Sequence, residues 1–352
     1  MISNNIILLY RLYNNGLIKK FNSIDFCVKS LIGIQSQYQN YALISIFNRV
    51  EYYDYSIFQN TNLIKSWGQR TTLHIYHKED FNIISNIYMM SNNWVYKYAN
   101  QLEIDYMKYI KCIEVYLKKN KNDILDKMKI LQIIPKYKSE EIMHWSGLLI
   151  LATYHKIIYG KLNENNKKIY VKNDIKQNNV TIENVIKRYF KYYGPATKKD
   201  FLHWSGLKYS EIKNDLDSYL KISNYFLYKD DKYYYETIPK IEQCIFNNPI
   251  ILGKFDPLLI SYHNKEWILN GNNKSIIWKS GGQIEGVIIF LDKMKATWHY
   301  KIKDKHIIFI INEIISLTNE ERIKLEQKFI NINNIFFKKK VKFDYKFIGG
   351  NK

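Results

Sequence analysis

Apolar residues recur at helical spacing near the start of the chain. Leu9 and Tyr13 lie one turn apart on a common face, and Gly16 is positioned to end that helix. Ser23 has the residue type of an N-cap, so a second helix is expected over residues 23–34. The chain therefore begins as a helical unit.

The pattern then changes from helical to extended. Residues 38–50 predict a further helix, whereas the alternation of Leu73, Ile75 and His77 predicts a short strand. A segment rich in lysine and asparagine, residues 118–129, fits either a solvated helix face or a connector. Both interpretations remain open from the sequence.

Three helices followed by a hairpin are predicted in the second half. Thr181 and Thr197 each precede a helical pattern, and a third helix is expected over residues 210–220. Two short strands follow, with residues 229–232 as their turn. This is the element order of a winged helix, a fold that docks on duplex DNA.

A similar helix-then-strand order occurs over residues 139–171. The sequence HWSGL is found both at 144–148 and at 203–207, which indicates either a tandem repeat or chance similarity. Trp145 and Trp204, at equivalent places in the two copies, are interpreted as core residues.

Short apolar runs separated by Gly, Asn and Lys dominate after Ile250. They predict a β-rich unit of barrel or sheet type, closed by a helix capped by Asn319. The predicted fold class is therefore α+β. The expected units are residues 1–118, 119–178, 179–245 and 246–352.

Charge suggests the kind of partner. The 352 residues include 53 Lys and Arg against 33 Asp and Glu, a net charge of +20. Such an excess favours an anionic partner, with nucleic acid first, although a composition biased toward lysine would also produce it. Three distant cysteines offer neither a disulfide framework nor a CxxC metal site. No signal peptide or spanning segment is predicted, so a soluble, cytoplasmic and nucleoid-associated protein is expected.

Several known catalytic motifs are absent from the sequence. The sequence has no phosphate loop, no dinucleotide glycine fingerprint and no HExxH, so nucleotide-driven motors, redox enzymes and zinc proteases find no support. Five segments, by contrast, occur in an informative order: LIGIQSQYQNYALISIFNR (31–49), SWGQRTTLHIYHKED (66–80), YYGPATKKDFLHWSGL (192–207), LGKFDPLLISYHNKEW (252–267) and GVIIFLDKMKATWHY (286–300).

Together these segments resemble the winged-helix DNA glycosylases of the AlkZ and YcaQ type. The resemblance implies tandem winged helices around a C-shaped DNA-binding cleft, with a β-rich C-terminal unit. It also implies a monofunctional, metal-independent enzyme without cofactors. Such an enzyme is expected to act as a monomer on damaged double-stranded DNA and to hydrolyse the N-glycosidic bond of N7-alkylated purines, with unhooking of interstrand crosslinks as a further expected activity.

The family's catalytic signature is Gln, an intervening residue, then Gln or Asp. Here it reads Gln35-Ser36-Gln37, within the first unit. Ser36 departs from the usually apolar middle position, and Gln37 resembles the AlkZ branch. A neutral amide can position water and stabilise a developing positive charge. Residues two apart diverge on a helix, so the pair is expected just past a helix end. Alternatively, the two amides merely satisfy backbone groups.

Further candidates concern DNA binding. On the predicted strand, Arg70, Thr72 and His74 could contact a phosphate or the lesion, although a surface ion pair for Arg70 and a core position for His74 are the alternatives. Lys198 and Lys199 begin a helix, where backbone N–H groups favour phosphate. Solvated lysines are the alternative there.

The hairpin lysines Lys229 and Lys232 are candidates for probing the groove. Gln39 is expected to be exposed or bonded to backbone, and Asp256 to cap the turn at Pro257. Two other functions remain. A non-enzymatic winged-helix regulator would bind undamaged DNA and survive Gln37→Ala, and a small-molecule hydrolase would need a nucleophile motif that the sequence lacks.

Overall fold

The N-terminal helices form largely where the sequence predicts them. The structure, a computed structural model, describes residues 2–90, 94–269 and 271–349. Helix α1 spans Asn4–Asn14. Helix α2 spans Ile24–Ser30, and the Ser23 hydroxyl caps it by accepting from the Phe26 N–H. This helix is shorter than predicted because Ile32 and Gly33 take left-handed conformations, with φ of 55° and 88°.

A five-stranded antiparallel sheet organises the first half of the molecule. Its strands lie in the order β1-β3-β2-β4-β5. Strand β3 matches the predicted strand, and helix α3 (Gln39–Phe47) follows β1. The sheet contains strands that precede residue 118 in the sequence and strands that follow it. The domain boundary expected at this residue therefore divides a single sheet. The strands are β1 Ile34–Gln35, β2 Leu63–Trp67, β3 Leu73–His77, β4 Ile158–Lys161 and β5 Tyr170–Lys172.

Helices between β3 and β4 cover this sheet. At their centre is α9, every residue of which is buried and which packs against α4, α5, α6 and α8. The polar segment 118–129 ends α6, forms a connector and begins α7. Lys138, rather than Ser139, occupies the N-cap position of α8, in a left-handed conformation. The helices are α4 Phe81–Met90, α5 Trp94–Gln101, α6 Tyr106–Lys119, α7 Lys127–Ile133, α8 Ser139–Met143 and α9 Gly147–Tyr154.

The predicted order of three helices and a hairpin is observed. Thr181 and Thr197 each form a capping box with the residue three positions later, and Gly206 ends the second helix at a φ of 71°. Local capping signals therefore sufficed to predict this unit. It comprises α10 Ile182–Tyr192, α11 Lys198–Ser205, α12 Tyr209–Ile222, β6 Asn224–Tyr228 and β7 Asp231–Tyr235.

The two HWSGL copies adopt different structures. Trp204 lies near the end of α11 and is 4% exposed, as predicted. The core prediction for Trp145 is wrong, because this residue is 74% exposed and precedes α9. Left-handed backbone at Trp145 and Ser146 separates α8 from α9. The two segments therefore do not form structural copies of one repeat.

The C-terminal sheet is open rather than a barrel. Its order is β12-β11-β10-β9-β8, and among the described residues β8 and β12 are each paired on one side. Strands β11 and β12 are parallel and are linked by α15, which Thr318 caps instead of Asn319. Short helices at residues 257–260, 266–269, 274–276 and 280–282 occur where strands were expected. The elements are β8 Ile250–Leu252, α13 Pro257–Ile260, α14 Glu266–Leu269, β9 Gly286–Phe290, β10 Lys293–Lys303, β11 His306–Glu313, α15 Asn319–Phe336 and β12 Lys340–Phe347.

A buried ion pair ties the N-terminal helices to this C-terminal unit. The Arg49 guanidinium donates to both carboxylate oxygens of Asp256, at 2.8 and 2.6 Å, and neither side chain is exposed. Asp256 also accepts from the backbone N–H of Leu258, so it caps the turn at Pro257 as predicted. In the described part of the chain, no helix has the length and apolar character needed to cross a membrane.

Candidate active site

The Gln35-Ser36-Gln37 segment is extended. Strand β1 pairs Gln35 with His74 on β3, and the Ser36 N–H donates to the Leu73 carbonyl at 2.8 Å. The left-handed residues that end α2 redirect the chain into this strand. The two glutamines therefore lie past the helix end, where the sequence placed them.

A hydrogen bond joins the two glutamine side chains. Gln35 Nε2 donates to Gln37 Oε1 at 2.8 Å. Gln35 is buried, whereas Gln37 is exposed and lines a cleft of about 720 Å³. The buried amide thus fixes the orientation of the exposed one. Gln39 lies outside this pair, because its amide donates to the Asn163 carbonyl at 2.9 Å.

Five aromatic side chains line the cleft together with Gln37. Polar groups from Asn166, Lys168 and Gln283 complete its walls. Flat apolar faces next to amides suit a planar polar ring such as a nucleobase. The aromatic lining residues are Tyr38, Trp67, Trp94, Trp145 and Phe255.

Strained backbone holds two of these aromatic rings. Trp145 has a φ of 51° and Phe255 a φ of 58°. Left-handed conformations of residues other than glycine cost about 1–3 kcal/mol each and cluster at functional sites. The Phe255 ring stacks on Tyr38, with centroids 5.5 Å apart and planes 11° from parallel. Strain therefore accompanies the placement of aromatic surface at the cleft.

His74 is buried beside Gln35 rather than exposed to the cleft. Its Nδ1 lies 2.9 Å from the Thr72 carbonyl, which can only accept, so Nδ1 carries the proton. Burial lowers the pKa of His74 to about 3, which leaves the ring neutral near pH 7. The core alternative therefore fits His74. The Thr72 hydroxyl is likewise engaged and donates to the Gln69 carbonyl at 2.9 Å.

Stability is expected to depend on this histidine at acidic pH. Between pH 3 and about 6.5, the unfolded chain binds a proton that the folded His74 does not, so stability falls as the pH drops through this window. One such group contributes up to about 1.4 kcal/mol per pH unit. In urea unfolding from pH 4 to 7, the free energy of unfolding should depend less steeply on pH for His74→Gln than for wild type. Exposed His144→Gln is the control, and equal slopes in all three proteins would contradict the expectation.

The structure does not present Arg70 to a phosphate. Its guanidinium Nη1 donates to the Ile260 carbonyl at 3.1 Å, and its side chain packs against Gly206. The surface ion-pair alternative is also wrong, because the partner is a backbone carbonyl. Arg70 instead connects the first sheet to the segments at α11 and α13.

The lysines at the start of α11 have local partners. Lys198 Nζ lies 2.8 Å from an Asp217 carboxylate oxygen and 3.6 Å from the centre of the Tyr209 ring. Lys199 Nζ is 3.9 Å from Asp231, and its side chain is exposed. Lys198 is therefore neutralised within this unit, whereas Lys199 faces solvent beside a weak ion pair.

The hairpin lysines are placed on the β6–β7 turn and strand. Lys229 has a φ of 49° in the turn, and Lys232 Nζ lies 4.3 Å from the centre of the Tyr225 ring on the neighbouring strand. Lys168 is the one lysine among the described residues that line the Gln37 cleft. The structure therefore does not bring the predicted DNA-binding lysines into the same cleft as Gln37.

Sequence reasoning missed part of the cleft. Trp94, Trp145 and Lys168 were not predicted as site residues, and Asn166 falls in the polar segment between β4 and β5. Asn166 accepts from buried Lys65 at 2.6 Å, and burial lowers the pKa of Lys65 to about 8. Only the strongly polar composition around residue 166 could have drawn attention to this wall. Within the described residues, no group of three His, Cys, Asp or Glu side chains could share a metal ion.

The fold and the site indicate the class of protein to which this chain is similar. An α+β protein pairs a three-helix and hairpin unit with a cleft that is lined by aromatic side chains and by Gln37, whose amide is bonded to buried Gln35. Residues 168–329 match the family model described as DNA glycosylase AlkZ-like. The fold is similar to that of the Streptomyces sahachiroi DNA glycosylase AlkZ, with a TM-score of 0.79 and 16% identity over 98% of this chain and 99% of that chain.

These findings confirm the resemblance to the AlkZ family, by the family model over residues 168–329 and by the fold over the whole chain. No curated protein matches the sequence. The coupled amides of Gln35 and Gln37 lie outside the range of the family model, so their role depends on the geometry described above.

Proposed function

We propose that the protein is a DNA glycosylase that hydrolyses the N-glycosidic bond of N7-alkylated purines in duplex DNA. The observation that carries this proposal is a pair of coupled amides at a cleft with aromatic walls: buried Gln35 donates at 2.8 Å to exposed Gln37, which lines the cleft. The family match over residues 168–329 supports a DNA glycosylase, and the net charge of +20 supports a nucleic-acid substrate.

The chemistry of the lesion explains why amides suffice. A purine alkylated at N7 is cationic, so it leaves as a neutral base when the bond from C1′ to N9 breaks and its electron pair moves to the purine. Water then adds to C1′ and releases a proton. The enzyme must hold that water and stabilise the oxocarbenium character of the sugar, and it needs no strong general acid.

Each glutamine has its own part in this proposal. Gln37 Oε1 accepts from Gln35 with one lone pair, and its second lone pair can hold water or face the developing positive charge. Gln35 is a positioning residue, because its buried side chain fixes the rotamer of Gln37. We assign the neutral His74 ring opposite Gln35 to packing.

DNA binding outside the cleft is assigned to the hairpin lysines Lys229 and Lys232. Reversing both charges to Glu should weaken duplex binding and make its dependence on log salt shallower by about 2, because two phosphate contacts are lost. Fluorescence anisotropy at several salt concentrations measures this slope. Lys324→Glu with Lys346→Glu, on α15 and β12, changes net charge equally and serves as the control. Identical salt dependence of duplex binding in the two double variants would contradict a DNA-binding role for Lys229 and Lys232.

We also propose that the open cleft accommodates bulky adducts and crosslinks, and that the enzyme acts as a monomer without a metal. The test uses three duplexes, which are undamaged, carry N7-methylguanine, or contain one N7-linked interstrand crosslink. After mild alkali, denaturing gels should show strand cleavage at N7-methylguanine and separation of the crosslinked strands, both insensitive to a chelator. Binding of the undamaged duplex without cleavage of either lesion would favour a regulator.

A further inference from the structure

Trp145 is an exposed tryptophan on a strained backbone. Its side chain is 74% exposed, and Trp145 and Ser146 take left-handed conformations in succession, with φ of 51° and 63°. The ring contacts that of its neighbour His144, edge to face, with centroids 5.1 Å apart. Core packing therefore does not account for its position.

The surroundings hold the backbone of Trp145 at a defined place. Trp145 lies between α8 and α9, and every residue of α9 is buried. A side chain at Gly147 would approach the Ile142 carbonyl oxygen to 2.8 Å, so the turn packs closely against the end of α8. Trp145 and Gln37 line the same cleft. The indole is thus presented to the cleft by a turn fixed between two packed helices.

The side chains that line the cleft limit how a cationic base could be attracted to it. None of the described residues that line it is Asp or Glu, and Lys168 would repel a cation while attracting phosphate. The groups among the described lining residues that can attract a cationic base include polar oxygens, such as Gln37 Oε1, and the aromatic faces. Tryptophan is the best of the three aromatic side chains for this purpose, because the face of its ring attracts cations.

We infer that Trp145 stacks on the damaged purine and determines specificity by favouring its cationic form over a neutral purine. This inference rests on the proposed glycosylase function and adds the residue that discriminates the substrate. Undamaged guanine would also stack on the indole, but without the attraction between the ring and a positive charge. Trp145 is thus assigned to recognition and Gln37 to the reaction at C1′.

The test compares binding of two duplexes of the same shape. Both carry a 2′-fluorinated nucleotide at the same position: in one the base is N7-methylguanine, which keeps its positive charge and resists hydrolysis, and in the other it is neutral 7-methyl-7-deazaguanine. Wild type should bind the cationic duplex about 5- to 30-fold more tightly. Trp145→Leu should lose most of this preference, whereas Tyr52→Leu, at another exposed aromatic residue, should keep it.

A second variant separates recognition from a structural role. Trp145→Gly relieves the left-handed strain, so it should unfold at a higher temperature than wild type while also losing the preference for the cationic duplex. An unchanged preference in Trp145→Leu, or no preference in wild type, would overturn the inference. Release of base from N7-methylguanine DNA is measured separately. A Trp145-dependent preference without release would overturn the proposed glycosylase activity and not the recognition by Trp145.

Discussion

Replacing Gln37 with alanine is expected to lower the single-turnover rate of base release from N7-methylguanine DNA by about 100- to 1,000-fold. This is the usual effect of removing one polar group that stabilises a transition state. The side chain is exposed, so the thermal midpoint should stay close to that of wild type. Gln37→Ala removes both the amide oxygen that holds water and the acceptor of the Gln35 hydrogen bond.

Two further variants sharpen this prediction. Gln132→Ala removes an exposed glutamine from α7, outside the cleft, and should leave the rate unchanged. Gln35→Glu replaces the donor to Gln37 with a carboxylate, so the rate should fall although Gln37 itself is intact. Base release by Gln37→Ala at the wild-type rate would show that the coupled amides do not perform the reaction.

Asp256→Asn is expected to reduce the free energy of unfolding by about 3–5 kcal/mol. The substitution keeps the shape and can keep the N-cap, but it leaves the fully buried Arg49 guanidinium without its countercharge. Ser45 also loses a charged acceptor, because its hydroxyl donates to Asp256 at 2.7 Å. Urea unfolding at pH 7 measures the loss.

An exposed ion pair provides the matched control for this prediction. Glu320→Gln removes one partner of the i,i+4 pair with Lys324 on α15, and we expect no measurable change in stability. Replacing Arg49 and Asp256 together with Met and Leu should cost less than the sum of the single replacements, because no charge is then left buried alone. A loss of under about 1 kcal/mol for Asp256→Asn would contradict the account of this pair.

The elements predictable from sequence are those fixed by local signals. Ser23, Thr181 and Thr197 each bond a backbone N–H three residues later, and Gly206 ends α11. Such contacts depend on a few adjacent residues, so spacing and residue type reveal them. The placement of Gln35 and Gln37 past a helix end followed instead from the family resemblance, because two cooperating amides two residues apart would diverge on a helix.

The remaining features depend on contacts between distant residues. Asp256 was predicted as a cap, but its partner Arg49 lies 207 positions away. Trp145 was assigned to the core from its apolar character, and only the left-handed backbone and the packing of α9 explain why it faces the cleft. Arg70 was expected on a phosphate, whereas folding brings it to the Ile260 carbonyl. Spacing along the chain contains no signal for such pairings.

In the proposed reaction, the cleft at Gln37 releases an alkylated purine as free base. The most direct measurement is mass spectrometry of the small molecules released when wild type acts on duplex DNA containing N7-methylguanine, with Gln37→Ala at equal folded concentration. Wild type should release free 7-methylguanine and leave an abasic site in an intact strand. Gln37→Ala should release 7-methylguanine only at the spontaneous level. Tight binding by wild type with no release above that level would contradict the proposed reaction.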